Sequence, residues 1–542
     1  MPDKHGIPLF LLTDSYKATH AFLYPDAEKM VAYGEFRTGY DGDKVDTRLV
    51  FYGIRYILEN YVAKQWSIED VELADQFFAT HNAGFEPFPY PKNLFLKFIE
   101  ENNGYFPVKI EALPEGTACH IHTPVYQITA EGEYSGLVTF LETLLTMTWY
   151  PSTVATKSRR ARDVIEAAYD DTVDEDGYWT LESRLHDFGF RGCTTVEQSI
   201  VGGTAHLVRI LPSVPRDLFF LFTDLNFTGT DTMSAAFYAQ FTLNNGKPVA
   251  SSIPATEHSV MTSWKTEREA IKRMIDRFGI GVFACVMDSY DYVNALEKVL
   301  PSIYTEKIEK GGIMIMRPDS GDQVETVLMA LRAGERVFGA DVNKKGYKII
   351  RGAGVIQGDG VNLTSLAAIL AAVKEAGYSA QSVAFGMGGG LLQKLNRDTM
   401  SFATKLSNIV YKDGTIRHVN GIYFANTFFI IDLMKTPKTD GAKFSLPGEF
   451  AVRLNHDGIP IVHPKSGSAD ESDPTNLLRL VYDNGKPIPG AHWDDFDVVR
   501  ARVKETWSRL PKTYDNLSPE LHKKVKFVLE EQRRIFDLQL NV

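Results

Sequence analysis

Residues Ile313–Gly321 read IMIMRPDSG: four apolar side chains, then Arg317, Pro318, Asp319, Ser320 and Gly321. A short apolar run that stops on polar and glycine residues reads as a strand buried on both faces. The pattern recurs at Gly281–Asp288 (GVFACVMD), Val355–Gly360 (VIQGDG) and Val383–Gly390 (VAFGMGGG). Helical stretches separate the runs, at Asp291–Leu300, Asp322–Phe338 and Leu363–Ala376. Alternating strands and helices predict a parallel sheet. Polar and glycine residues collect at the C-terminal strand ends. That is the rim of an α/β barrel, or the switch-point crevice of an open sheet. An ordinary turn carries an occasional Asp or Gly; four such ends, each with Asp, Arg or serial Gly, point to a site.

Upstream, Leu185–Gly192 (LHDFGFRG) packs His, Asp, two aromatics, two glycines and Arg into eight residues. Phe188 offers a flat ring to a flat ligand, and Arg191 a fork for phosphate or carboxylate. The plainer reading is a strand-to-helix turn with a satisfied core His. Val196–Leu207 is expected to be a helix whose Gly202, Gly203 and Ala205 allow close packing. Gly229–Thr232 (GTDT) places Asp231 in a small-residue turn. Ser251–Ser259 (SSIPATEHS) puts Glu257 and His258 at a helix start, where amides welcome an anion.

The flanks read differently. Thr13–Lys17 (TDSYK) suggests Thr or Asp capping a helix. Met30–Phe36 is strand-like, with Arg37 following, and Val50–Tyr61 has helical apolar spacing. Val108–Thr129 predicts short antiparallel strands, and Leu137–Trp149 a long apolar helix. Short strands are expected over Phe444–Val462, and late amphipathic helices near Asp495–Arg509 and Ser518–Phe536. The 542 residues exceed one compact core. The net charge of −11 argues against general nucleic-acid binding. No apolar run reaches the ~18 residues of a membrane span, and the N-terminal one is too short for a secretory signal. Three dispersed cysteines suit a reduced, cytoplasmic setting and no zinc site.

Gly386–Gly390 can cradle a phosphate without being a Walker motif. Arg397 and Lys405 add charge nearby, and Asp319 and Asp359 suit ribose hydroxyls. Together they suggest a phosphorylated ribose with a base stacked on Phe188. The segments TDSYK, HDFGFRG, GTDT, SIPATEHS, DSYD, RPDSG, VIQGDG and FGMGGGLLQKLNRD follow the order found in nicotinamide phosphoribosyltransferases. From Leu11 to about Lys405 the chain resembles this type II phosphoribosyltransferase family.

The resemblance implies a barrel-like parallel α/β domain over residues 151–400. It implies an additional α+β domain built from an N-terminal part, 1–150, and a C-terminal part, 401–542. It implies a cytoplasmic pentosyltransferase joining nicotinamide and phosphoribosyl pyrophosphate (PRPP) into nicotinamide mononucleotide and pyrophosphate. The family works as a homodimer with shared sites, uses Mg²⁺ held mainly by pyrophosphate, and couples ATP through a phosphohistidine. Carried over by motif, Phe188 stacks nicotinamide, Tyr16 of the other subunit covers its second face, and Asp231 accepts from the carboxamide. Arg191 and Arg317 hold phosphate or the carboxamide region. Asp319, Gly358 and Asp359 line the ribose, and Gly388 and Gly389 take the 5′-phosphate. Arg37, Arg397 and Lys405 complete the phosphate sites, the last two across the dimer. His258 is the expected phosphohistidine, supported by Glu257 and Asp288. Asp231 favours nicotinamide over nicotinate; a nicotinate phosphoribosyltransferase and an inactive relative acting as a binding protein are the alternatives.

Two apolar segments depart from the family pattern, Arg209–Leu225 (RILPSVPRDLFFLFTDL) and Thr415–Ile431 (TIRHVNGIYFANTFFII). Inserted surface loops are normally polar. The segments read either as translated unspliced introns or as a genuine apolar contact surface.

Overall fold

A computed structural model describes residues 6–208, 227–412, 430–437, 439, 444–465, 473–488 and 492–539. The Arg209–Leu225 segment lies outside the described residues, as does the other departure up to residue 429. The chain forms two compact units. One comprises Met1–Thr153, Asn396–Asp494 and Glu505–Val542; the other comprises Val154–Leu395 and Asp495–Lys504.

The second unit is built on six parallel strands: β1 (Leu185–Asp187), β2 (Gly229–Thr230), β3 (Val282–Val286), β4 (Ile313–Arg317), β5 (Ala353–Gln357) and β6 (Val383–Met387); the last four are the predicted ones, and β2 lies in the stretch expected to be a turn. They lie in the order β2-β1-β6-β5-β4-β3, every pair parallel. The edge strands β2 and β3 are joined by the irregular segment Ser251–Thr256. Gly229 bridges Ser251, and Ala255 bridges Ala284, both in parallel. Thr230 N donates to Ser251 O at 3.1 Å, and Ala284 N donates to Pro254 O at 2.9 Å. The sheet thereby closes into a barrel, with all strand C-termini at one end.

Helix starts pin the rim turns. Asp322 caps the helix Gln323–Phe338, accepting from Val324 N and Glu325 N. Asn362 caps Leu363–Glu375 in a reciprocal capping box with Ser365. Just before these caps, Gly321 (φ +86°) and Gly360 (φ +64°) adopt left-handed backbone that other residues resist.

The first unit carries a six-stranded sheet in the order Ile430–Asp432, Ala403–Tyr411, Ala27–Glu35, Tyr126–Glu131, Lys109–Ala112, Arg479–Asp483. Every pair is antiparallel, so the N- and C-terminal parts share one sheet. Trp66, Phe95, Phe98, Phe106 and Phe140 are buried in its aromatic core.

Several expectations are corrected. The run Leu137–Trp149 is not one helix: only Glu142–Thr146 is α-helical before a new helix begins at Trp149. Threonine hydroxyls compete for its backbone, Thr148 Oγ1 donating to Leu145 O at 2.8 Å. Val50 ends a strand, Arg48–Val50, and the helix starts at Ile54 after Gly53 at φ +100°. Thr13 and Asp14 cap no helix. Thr13 Oγ1 donates to Phe140 O, while Asp14 accepts from Thr143 Oγ1; the helix is Lys17–His20. Asp495–Lys504 belongs to the barrel unit, where the fully buried Arg500 donates to Leu207 O and Val249 O. Arg397 falls in the first unit, since the barrel unit's main segment ends at Leu395.

Candidate active site

A cavity of about 1000 Å³ opens at the C-terminal end of the barrel strands. Its wall includes Phe188 and Arg191 after β1, Asp231 after β2, Arg317 and Asp319 at the end of β4, Gly358 and Asp359 after β5, and Gly388–Gly390 after β6. Phe188 is seated over glycine: a Cβ on Gly386 would lie 1.9 Å from its ring, and one on Gly358 would lie 3.3 Å away. Asp231 accepts a hydrogen bond from Ser252 Oγ, contributed by the barrel-closing segment. Arg317 NH2 stands 3.6 Å from Asp319 Oδ2. Its buried Nε has no hydrogen-bond partner among the described residues, so a ligand oxygen would satisfy it.

Beside this wall lies a polar cluster. Glu257 is the N-cap of the short helix His258–Thr262, though its side chain caps no amide; Ser259 Oγ donates to it. His258 Nε2 is 3.0 Å from Asp288 Oδ1, and Nδ1 is 3.8 Å from Asp319 Oδ2. Asp288 Oδ2 accepts from Asp319 N at 3.1 Å and Ser320 Oγ at 2.5 Å. Asp288 thus ties the imidazole to the β4 turn that enters the cavity.

Below the rim, burial pushes the His186 imidazole below its ordinary value, and its Nε2 meets Ser183 O at 3.0 Å. His186 therefore takes the satisfied core role. The sequence reading missed Gln393, whose Nε2 donates to Gly189 O at 3.0 Å and links the glycine turn to the Phe188 loop. Lys394 and Thr232 also line the cavity. A Lys four residues after serial glycine was a usable signal; Thr232 offered none.

The other expected site residues belong to the first unit. Arg37 Nε donates to Ser401 O at 3.2 Å. Lys405 pairs in register with Tyr33 on the neighbouring strand, and burial, with Arg37 adding to it, depresses its ammonium. Arg397 is exposed with NH2 3.6 Å from Asp398, and Tyr16 is exposed. Among the described residues no cluster of three His, Cys, Asp or Glu side chains is gathered for a metal ion. Asp319 and Asp359 are carboxylates on the cavity wall.

The nicotinamide phosphoribosyltransferase of Xanthomonas campestris is 36% identical over 493 residues, covering 89% of this chain and 95% of that protein. The chain belongs to the nicotinamide phosphoribosyltransferase family. The Acinetobacter baylyi family member is 26% identical over 507 residues, covering 87% and 93%. Residues 8–110 match the family's N-terminal domain, and residues 183–427 match the nicotinate phosphoribosyltransferase (NAPRTase) family. Human nicotinic acid phosphoribosyltransferase shares the fold, with TM-score 0.56 at 17% identity over 95% of this chain and 99% of that one. The nicotinate-nucleotide pyrophosphorylase of Pyrococcus furiosus does so too, with TM-score 0.56 at 13% identity over 94% and 97%.

Proposed function

We propose that this chain transfers the phosphoribosyl group of PRPP to nicotinamide, making nicotinamide mononucleotide and pyrophosphate for NAD salvage. The observation that carries the reading is one cavity lined together by a ring, a carboxylate, an arginine and three glycines. Phe188 stacks the pyridine, Asp231 accepts from the carboxamide NH₂, and Gly388–Gly390 with Arg317 and Arg191 hold phosphate. The ring nitrogen attacks ribose C1 as the C1–O bond to pyrophosphate breaks, its electron pair leaving on the pyrophosphate oxygen. Asp319 and Asp359 orient the ribose hydroxyls, and the arginines stabilise charge building on the leaving group. Mg²⁺, when bound, would neutralise pyrophosphate.

His258 is the group through which ATP acts. Asp288 holds Nε2–H and leaves the Nδ1 lone pair to take the γ-phosphoryl, a P–N bond forming as the P–O bond to ADP breaks. His258→Ala is expected to lose ATP stimulation and keep ATP-independent transfer; equal loss with and without ATP refutes a purely coupling role.

The active form is a cytoplasmic homodimer in which Tyr16, Arg397 and Lys405 serve the partner's cavity. Met233, Phe237 and Phe241, four apart and exposed just after Asp231, have the composition of a covered face. The described cysteines are free, and no helix among the described residues is long and apolar enough to cross a membrane. Mixing an Asp231→Ala chain with a Lys405→Ala chain restores activity if sites are shared.

The deciding assay is product formation from PRPP with nicotinamide or nicotinic acid, with and without ATP. Preference for nicotinamide that drops about 10- to 100-fold in Asp231→Asn fits the reading. Product mainly from nicotinic acid overturns it.

A further inference from the structure

Asp187 ends β1 directly before Phe188, yet it is fully buried and does not line the cavity. Its carboxylate sits where three elements converge. Oδ1 accepts from Gly189 N at 2.7 Å, in the loop that carries Phe188. Oδ2 accepts from Thr230 Oγ1 at 3.4 Å, in β2 next to Asp231. The backbone carbonyl of Asp187 accepts from Asp231 N at 3.0 Å. The third element is the helix Val196–His206. A Cβ on its Gly203 would lie 3.2 Å from Asp187 Oδ2 and 2.4 Å from Ala235 Cβ, so only glycine lets the helix close over the carboxylate.

Among the described residues no arginine, lysine or histidine ring forms an ion pair or hydrogen bond with this carboxylate. Its polar contacts are one amide and one hydroxyl, and Asp231 acts on it as a like charge. Burying an acid without a counter-charge costs stability. Asp231 thus lines the cavity, while Asp187 is buried and bonded to its backbone.

We propose that Asp187 is a positioning and specificity-determining residue. It holds the Phe188 loop and the Asp231 turn in one register, and it backs Asp231 with a second negative charge that penalises a carboxylate on the ring. The inference rests on the reading that Asp231 faces the ring substituent. Charge acts here through a water-poor interior, where it is screened less than at the surface.

The test compares wild type, Asp187→Asn and Asp187→Ala as full chains, measuring kcat/KM for nicotinamide and nicotinic acid and the KM for PRPP. Asparagine keeps the shape and the acceptor for Gly189 N and removes the charge. The nicotinamide-to-nicotinic acid ratio is expected to fall about tenfold in Asp187→Asn, with the KM for PRPP within about twofold. Asp187→Ala, which also loses the tie, is expected to raise the KM for nicotinamide further. A wild type that prefers nicotinamide, with an unchanged ratio in Asp187→Asn, overturns this inference alone. An equal fall for both bases with a matching rise in the KM for PRPP also overturns it, since general damage would explain that. A wild type that prefers nicotinic acid overturns the base assignment and this inference with it.

Discussion

Replacing Gly386 by alanine tests whether the barrel floor sets the stacking ring. Gly386 lies in β6, paired with both β1 and β5. An added Cβ would meet Phe188 Cε2 at 1.9 Å and Cδ2 at 2.1 Å. Carbon contacts settle near ~3.5–4.0 Å, so something must retreat by about 2 Å. The strand is held on both sides, so the ring moves, and it moves into the space meant for the base. Misplacing a positioning group by about 1 Å can cost about 100-fold in rate. Overpacking costs about 1–3 kcal/mol of stability. The expected result is a fall of about 100-fold in kcat/KM for nicotinamide, with the KM for PRPP within about threefold. Steady-state kinetics with each substrate varied, and urea unfolding, read both effects. Adding Phe188→Leu should recover stability but not rate. A stable Gly386→Ala enzyme with wild-type kcat/KM for nicotinamide would refute the reasoning.

Two further outcomes follow from buried groups in the barrel unit. Lys157 is buried and its Nζ donates to Gly390 O, so it anchors the glycine turn from behind. Lys157→Met should raise the KM for PRPP about tenfold while the KM for nicotinamide holds, and Lys157→Arg should recover part of the loss; equal shifts in both KM values would refute it. Burial depresses the His206 imidazole to about 4, with its Nδ1 2.9 Å from Ser158 Oγ. A depressed folded-state value means stability is present above the unfolded value near 6.5 and is lost as pH falls toward 4. The loss is about 3 kcal/mol at most. Urea melts between pH 4 and 8 should show that slope flattened in His206→Gln; an unchanged slope would refute it.

The barrel was legible because its strands are continuous apolar runs that stop on Asp, Arg or Gly, and parallel strands place all such ends together. Arg317, Asp319 and Asp359 could be read for the same reason, whereas Phe188 and Asp231 were reached through their short motifs. The closing segment Ser251–Thr256 could not. It holds a proline and one large apolar residue, and it pairs only through isolated bridges. Asp187 was quoted in the motif but given no role, because residue type reveals a carboxylate and only packing reveals its burial. Threonine-rich stretches misled for a local reason: their hydroxyls bond nearby carbonyls and break helices that apolar spacing would support. The unit that claims Asp495–Lys504 was invisible because an amphipathic helix does not encode its partner.

Asp187→Asn should move stability and selectivity in opposite directions. Burial pushes the Asp187 carboxyl up to about 6 from its ordinary 3.8; repulsion from Asp231 adds to this, while Gly189 and Thr230 oppose it by hydrogen bonding. The other titrating neighbour, Cys193, has its thiol pushed up to about 11 by burial, with Asp187 contributing. A raised folded-state value means the stability linked to this group is fully present below 3.8 and is lost as pH rises through about 6. At pH 7.5 the ionised carboxylate therefore costs about 3 kcal/mol at most. The asparagine variant escapes that cost, so urea unfolding at pH 7.5 should find it at least as stable as wild type. The difference should shrink toward pH 4, where the wild-type acid is protonated. A variant less stable by more than about 1 kcal/mol at pH 7.5 would mean that the charged form is itself a structural tie. Lost selectivity with retained or increased stability would separate a carboxylate kept for recognition from one kept for folding.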